Sequence, residues 1–294
     1  MTSEHLVQSD HNTLMGIASV NKKPAHEMVV YTPECQSINF SHLGKGRTAY
    51  LIGGGPSLKN INLDALRTNP GTITMAMNNV WGMYAPNMWC CVDGAGRFFD
   101  TGWKNPSIMK FTPMGNYNNQ LRIKRGNGEM ANSSYKVHQM PNMYFYCRNY
   151  HFNPKTFLRE DTVCWGGPGK HVDAVGVKGK RSVFMASLKL LTWMGFSKIY
   201  MLGTDFSMTP ENGYAFGQSR TKAAAKHNNV LYQALVKRMK KLKPELDRVG
   251  IEIRVENKDS SLCQVFKHMT FEDMLATSGK ECGKHVDPDG WYNA

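Results

Sequence analysis

The chain has 294 residues, 41% of them hydrophobic with 13 Phe, 12 Tyr and 6 Trp. That is enough apolar mass for one large or two small folded domains, and it excludes wholesale disorder. Lysine and arginine number 36 against 23 aspartate and glutamate, a formal +13, which favours a polyanionic partner: nucleic acid, an anionic surface or a phosphorylated substrate.

Residues 1–44 carry little periodic signal and read as an N-terminal arm or cap. Met1 to His11 is polar and has no signal-peptide core, no apolar run in the chain approaches the roughly 18 residues of a membrane span, and the seven cysteines form no regular framework. Together these predict a reducing cytoplasmic setting, that of a virus-encoded protein acting in a host included.

From Arg47 onward, strand and helix patterns alternate. Ala49–Ile52 is an apolar strand that runs straight into Gly53-Gly54-Gly55-Pro56-Ser57-Leu58. A strand ending in glycines exposes backbone N–H groups without side-chain cover, so a phosphate can approach closely. The turn is neither a Gly-x-Gly-x-x-Gly fingerprint nor a P-loop, and Pro56 suits the first turn of a helix that starts just after it. Asn60–Leu66 reads as a short helix. Ile73–Met77 is a second strand, closed by Asn78 and Asn79, and Met88–Val92 a third, closed by Asp93 and Gly94. Polar residues at successive strand ends are where open α/β sheets bind ligands.

Regularity weakens over 95–177, which is rich in Asn, Tyr, Met, Gly and Pro and reads as a lid or acceptor-facing insertion. Within it, Ile108–Pro113 and Met143–Cys147 are strand candidates, and Trp165–Gly169 is a loop. A basic knot of Lys178, Lys180 and Arg181 precedes a helix predicted over Ser182–Met194, which Gly195 ends. Lys198–Leu202 is an apolar strand ending in Gly203-Thr204-Asp205-Phe206. Ala223–Leu242 is a helix that Pro244 is expected to stop, and it carries a second knot of Lys237, Arg238, Lys240, Lys241 and Lys243. Glu252–Val255 is the last strand of a mainly parallel, doubly wound, Rossmann-like α/β sheet. Residues 261–294 form a C-terminal extension.

Four segments in order carry a resemblance: Gly53-Gly54-Gly55-Pro56-Ser57-Leu58, Gly203-Thr204-Asp205-Phe206, Asn212-Gly213-Tyr214-Ala215-Phe216, and His227 near the start of a long helix. They resemble the bacterial lipooligosaccharide sialyltransferases that use a CMP-activated sugar. The turn and the Gly-x-Asp strand end are also similar to those of hydroxymethylpterin pyrophosphokinases and motility accessory proteins. The resemblance spans about 47–260, with no match over 95–177, and it implies a nucleotide-sugar-binding catalytic domain over 45–260.

In that family, Gly53, Gly54, Gly55, Pro56 and Ser57 would hold the donor's phosphate or ribose, Asn78 or Asn79 its base or sugar, and Asp205 its ribose hydroxyls. Tyr214 matches the tyrosine that faces the leaving phosphate. His227 matches the general base, and imidazole suits removal of a hydroxyl proton at neutral pH. The family has an aromatic residue where Ser207 stands, so the donor contact made there differs. Arg181 lies near where the family handles the donor's charged groups. No metal and no cofactor beyond the nucleotide sugar is implied, and Cys263, His268, Cys282 and His285 have a spacing unusual for structural zinc.

The acceptor would be a hydroxyl compound. The +13 charge leads to a hydroxymethylated base in DNA, with Lys237, Arg238, Lys240 and Lys241 as the polyanion-binding surface, beside an anionic glycolipid or polysaccharide. Two other readings stay open: a pyrophosphokinase-like enzyme using ATP and Mg²⁺ on a pterin-type alcohol, and a non-catalytic nucleotide- or nucleic-acid-binding protein.

Overall fold

A computed structural model describes residues 30–124, 129–149, 152–160, 163–164, 182–217 and 221–279. The strands are β1 (Val30–Tyr31), β2 (Ser37–Ile38), β3 (Thr48–Ile52), β4 (Thr72–Met77), β5 (Met88–Cys90), β6 (Met109–Pro113), β7 (Gln120–Lys124), β8 (Met130–Lys136), β9 (Met143–Tyr146), β10 (Arg148–Asn149), β11 (Val163–Cys164), β12 (Lys198–Leu202), β13 (Glu252–Val255) and β14 (Lys267–His268). The helices are α1 (Asp100–Lys104), α2 (Val183–Trp193), α3 (Lys222–Arg248) and α4 (Phe271–Gly279).

Among the described residues, ten strands form one sheet in the order β14-β13-β12-β3-β4-β5-β6-β9-β1-β2. Every pairing from β14 to β9 is parallel, and only the β9–β1 and β1–β2 pairings at one end are antiparallel, so that β1 alone runs against the other strands. This is the doubly wound α/β sheet expected. The chain starts the parallel sheet at β3, winds outward through β4, β5, β6 and β9, then returns to β12 on the other side of β3. The strand order therefore reverses between β3 and β12, and the crevice at such a reversal is where open α/β sheets bind ligands.

Side-chain alternation along β3 shows the two layers. Ala49 and Leu51 join the core under α2 and α3, with Leu188, Leu191, Met239 and Leu242. Tyr50 and Ile52 join the opposite core with Leu58, Leu66 and Val80. All five β3 residues are buried, as a central parallel strand requires.

Local structure departs from expectation in three places. Asn60–Leu66 is not one helix but two 3₁₀ turns, Pro56–Asn60 and Leu63–Leu66. The Asn62 side chain accepts from Asp64 N–H and restarts the chain there, a short-range bond that competes with an α-turn. The helix expected to stop before Pro244 runs on to Arg248. Pro244 lies on the exposed side, while Leu242 and Leu246 bury beneath it and the Lys243–Asp247 and Arg248–Glu245 pairs brace the last turns. The segment expected to hold a lid contributes β6 and β9 to the main sheet and the β7–β8 hairpin beside it. From the flanking segments, β1 and β2 close one end of the sheet, β14 is the strand at the other edge, and α4 packs on the sheet face that carries Tyr50 and Tyr200.

Lys110 on β6 is fully buried, and its ammonium donates to the backbone carbonyls of Asn105 (2.6 Å), Ile108 (2.9 Å) and Pro141 (2.6 Å). Burial pushes its pKa from 10.5 down to about 8. Between those values the unfolded chain holds more protons than the folded one, so stability rises as pH climbs through that window. Lys110→Met is expected to cost about 2–4 kcal/mol at pH 7, because three buried carbonyls lose their donor. It should also remove the alkaline rise, and urea melts at pH 7 and pH 10 read both effects.

Candidate active site

The reversal point is built from two strand ends that lock into each other. Past β3, Gly53 N–H donates to Leu202 C=O (2.8 Å) and Gly55 N–H to Gly203 C=O (2.7 Å), so the turn extends the pairing with β12 beyond both strands. The approach is too close for side chains. A Cβ on Gly55 would lie 2.6 Å from the Asp205 carboxylate, and one on Gly203, whose φ is +58°, would lie 2.5 Å from Gly53 C=O. Close approach alone requires glycine at position 55, where the backbone is extended, whereas at 203 both the contact and the left-handed φ require it.

Asp205 closes the lock. Its carboxylate accepts from Ser57 N–H (2.9 Å), the Ser57 hydroxyl (2.5 Å) and the Asn257 side-chain amide (2.8 Å), and the residue is 4% exposed. Of the two roles expected of this carboxylate, accepting from ribose hydroxyls or capping the next segment, the structure describes neither a ribose nor a cap but three protein donors, which tie it to the turn. Asn257 and Ser260, whose hydroxyl donates to Thr204 C=O (2.6 Å), were not singled out from sequence. Their partners lie more than 50 residues away, and no local pattern marks such a contact.

The same lock decides which donors face a ligand. Gly53, Gly55, Ser57 and Leu58 N–H groups all bond within the protein, and Pro56 has none. Among the described residues, Gly54 N–H is the turn donor left open. Gly54 C=O accepts from Ala215 N–H (3.0 Å), which draws the 212–216 segment over the turn. A Cβ on Gly54 would lie 2.9 Å from the Phe216 ring and 3.3 Å from that of Tyr214, and those two rings stack at 4.9 Å. The structure thus brings Gly54 and Tyr214 together.

Beside them, at the end of β4, Asn78 holds a left-handed φ of 50° and its C=O accepts from the Trp89 indole (2.7 Å). Its side-chain oxygen is buried without a partner among the described residues. Asn79 is half-buried in the same turn. Phe206 also has a positive φ, 51°, and packs against Tyr232 of α3 and Phe184 of α2, fixing both helices to the strand end. Ser207, next to it, is exposed.

His227 sits on the second turn of α3, which Thr221 caps by accepting from Ala224 N–H (3.2 Å), and it is exposed. No hydrogen bond joins it to the glycine turn among the described residues. The basic knot on α3 is divided. Lys243 pairs with Asp247, Lys240 donates to Gln264, Arg238 lies over the Phe152 ring, Lys241 is exposed, and Lys237 lines a groove. Arg181, with Lys178 and Lys180, lies outside the described residues, as do the Trp165–Gly169 loop, Cys282 and His285. Among the described residues no group of three or more His, Cys, Asp or Glu side chains is placed to hold a metal ion, and no helix is long and apolar enough to cross a membrane.

A further carboxylate borders the lock. Glu256 follows β13 and lines a cavity of about 470 Å³ with His268 and Asn60. Burial, and then the charge of Asp205, pushes its carboxyl above the usual range, while His268 pulls the other way.

No family model matches the chain, and no curated protein matches it. Among solved structures, the chain is similar to the sialyltransferase CstII from Campylobacter jejuni, solved with the substrate analogue CMP-3FNeuAc: 13% identity over 76% of this chain and 86% of that one, TM-score 0.35. It is also similar to a mammalian sialyltransferase solved with Gal-beta-1-3GalNAc-ortho-nitrophenol, at 10% identity over 85% of this chain and 78% of that one, TM-score 0.34.

Proposed function

We propose that this protein is a glycosyltransferase that moves a sugar from a nucleotide-sugar donor to a hydroxyl acceptor. The observation that carries the reading is the lock at the sheet reversal. Among the described residues it leaves one backbone donor of the turn, Gly54 N–H, without a protein acceptor and next to the Tyr214 ring, while Asp205 holds the Ser57 end of the turn.

In this reading the donor's phosphate lies against Gly54 N–H, and Tyr214 donates to the oxygen that leaves with the nucleotide. A positioned donor aimed at developing negative charge lowers the barrier to bond cleavage. The buried, unpartnered oxygen of Asn78 accepts from an N–H or O–H of the donor's base or sugar. Asn79, Ser207 and Arg181 complete the donor side. His227 removes the acceptor hydroxyl's proton as that oxygen attacks the anomeric carbon. Leaving-group stabilisation rests on Tyr214 and the turn, and the reading needs no metal. The acceptor hydroxyl belongs to a polyanion, a hydroxymethylated base in DNA being the case the basic charge favours.

A thermal-shift panel of CMP-, UDP- and GDP-sugars against ATP with Mg²⁺ tests the class. One nucleotide-sugar series is expected to raise Tm by about 5 °C or more at a hundredfold excess over Kd, and turnover is expected to survive EDTA. A shift with ATP and Mg²⁺ alone would replace this reading with the pyrophosphokinase one.

A further inference from the structure

A groove of about 820 Å³ runs along α3 between its outer face and the 208–211 loop. That loop joins Asp205 to Tyr214, so one wall of the groove belongs to the segment that builds the donor site. Asn229 pins it to the helix by donating to Met208 C=O (2.9 Å).

Met208, Pro210, Val230 and Ala234 make part of the lining apolar. Along the groove stand Lys222, Lys226 and Lys237. At 1.5 Å rise and 100° per residue, these lysines fall within a stripe about 60° wide, spaced about 6 Å and about 16 Å along the axis. Among the described residues none of the three pairs with a carboxylate, whereas Lys243 further along the helix is paired with Asp247. Glu211 is the one acidic residue among the described residues that line the groove. His227 follows Lys226 directly and is set about 100° round the helix, on the flank of the lysine stripe.

We propose that this groove holds the sugar–phosphate backbone of a nucleic-acid strand, and that the strand carries the acceptor. The acceptor role rests on the transferase reading above, while strand binding stands on the groove alone. A nucleic-acid backbone alternates an anionic phosphate with a largely apolar sugar face, and the groove sets three ammonium groups, against one carboxylate, beside apolar side chains. Among the described residues the lining contains no aromatic side chain. It therefore offers no platform for stacked bases or for the apolar face of a glycan ring, so the backbone lies in the groove and the bases point away. A strand seated there passes the His227 flank, which is where a general base meets an acceptor hydroxyl.

The test is fluorescence anisotropy with labelled single-stranded 20-mers, one DNA and one RNA, between 50 and 200 mM salt. Three neutralised phosphates on a single strand give a log–log slope near −2, or about a 20-fold loss of affinity over that range. The triple variant Lys222→Gln, Lys226→Gln, Lys237→Gln is expected to flatten the slope by about 2 and to weaken binding at 50 mM at least tenfold. Lys243→Gln should change neither. The tighter of the DNA and RNA arms names the strand.

An unchanged slope in the triple variant, with its melting temperature intact, overturns the proposal. So does tighter binding of an acidic polysaccharide at equal charge. Should the triple variant melt early, Lys226→Glu alone carries the same expectation at smaller size. The two readings fail separately. Strand binding with no turnover of any nucleotide sugar overturns the transferase, and sugar transfer without strand binding overturns the groove.

Discussion

Asp205→Asn is expected to lower Tm by about 5 °C or more and to weaken nucleotide-sugar binding about 100-fold, because Asp205 holds the turn proposed to bind the donor. The carboxylate accepts from three donors at once, on both of its oxygens. Asparagine keeps the shape but has one acceptor oxygen. Its amide must then point N–H at N–H, toward either the Ser57 backbone or the Ser57 hydroxyl and Asn257. Leaving one such donor unmet in a site this buried costs about 1–3 kcal/mol, and the bonds lost are charge-assisted. Ser57 and Gly55 then relax away from β12, and Gly54 N–H loses its aim. Ser57→Ala removes one donor without creating a clash, and its cost should be nearer 1 kcal/mol. Calorimetric titration of the donor alongside a thermal melt separates the two effects. Asp205→Asn with lowered Tm but wild-type donor affinity would mean that the lock serves stability alone.

The elements that were legible in the sequence share one property: their signal is local and dense. Ala49–Ile52, Ile73–Met77 and Lys198–Leu202 are short apolar runs bounded by turn residues, which a parallel strand buried on both faces must be. The glycine turn was visible for the same reason, because backbone contact excludes every larger residue over consecutive positions. The edge strands β1, β2 and β14 are two residues each, too short for any period to show. The passage of α3 through Pro244 depends on Leu242 and Leu246 finding the core, a tertiary effect that overrides the local stop signal.

The site divides along the same line. Gly53 to Ser57 and Asp205 are candidates by their type and place at strand ends, whereas Tyr214 is one only through the family resemblance. That Asp205 would be occupied by Ser57 and Asn257 was not legible, since those partners are 148 and 52 residues away. The basic knot on α3 was visible as a run of charge, but its division was not. One lysine of that run, Lys237, shares a groove with Lys222 and Lys226, while the others turn to Asp247, to Gln264 or to solvent. Helical spacing predicts which residues share a face, but not which face the core leaves open.

His227→Ala is the change expected to separate the chemistry from the binding. The residue is exposed on the second turn of α3, and the groove wall and the glycine turn are both held by other side chains, so its removal should leave Tm within about 1 °C. Donor affinity should stay within about twofold, because Gly54, Asn78 and Tyr214 lie on other elements. Transfer to the acceptor should fall by about 10²–10⁴, the range for loss of a positioned general base. Slow hydrolysis of the donor by water should persist, because in the proposed mechanism departure of the nucleotide is assisted by Tyr214 and not by His227. This split between lost transfer and retained hydrolysis distinguishes a base acting on the acceptor from a residue that merely shapes the helix, which would move both rates together. Single-turnover measurements with and without acceptor read it directly, and transfer at the wild-type rate in His227→Ala would remove the residue from the mechanism and send the search for the base to another side chain near the head of α3.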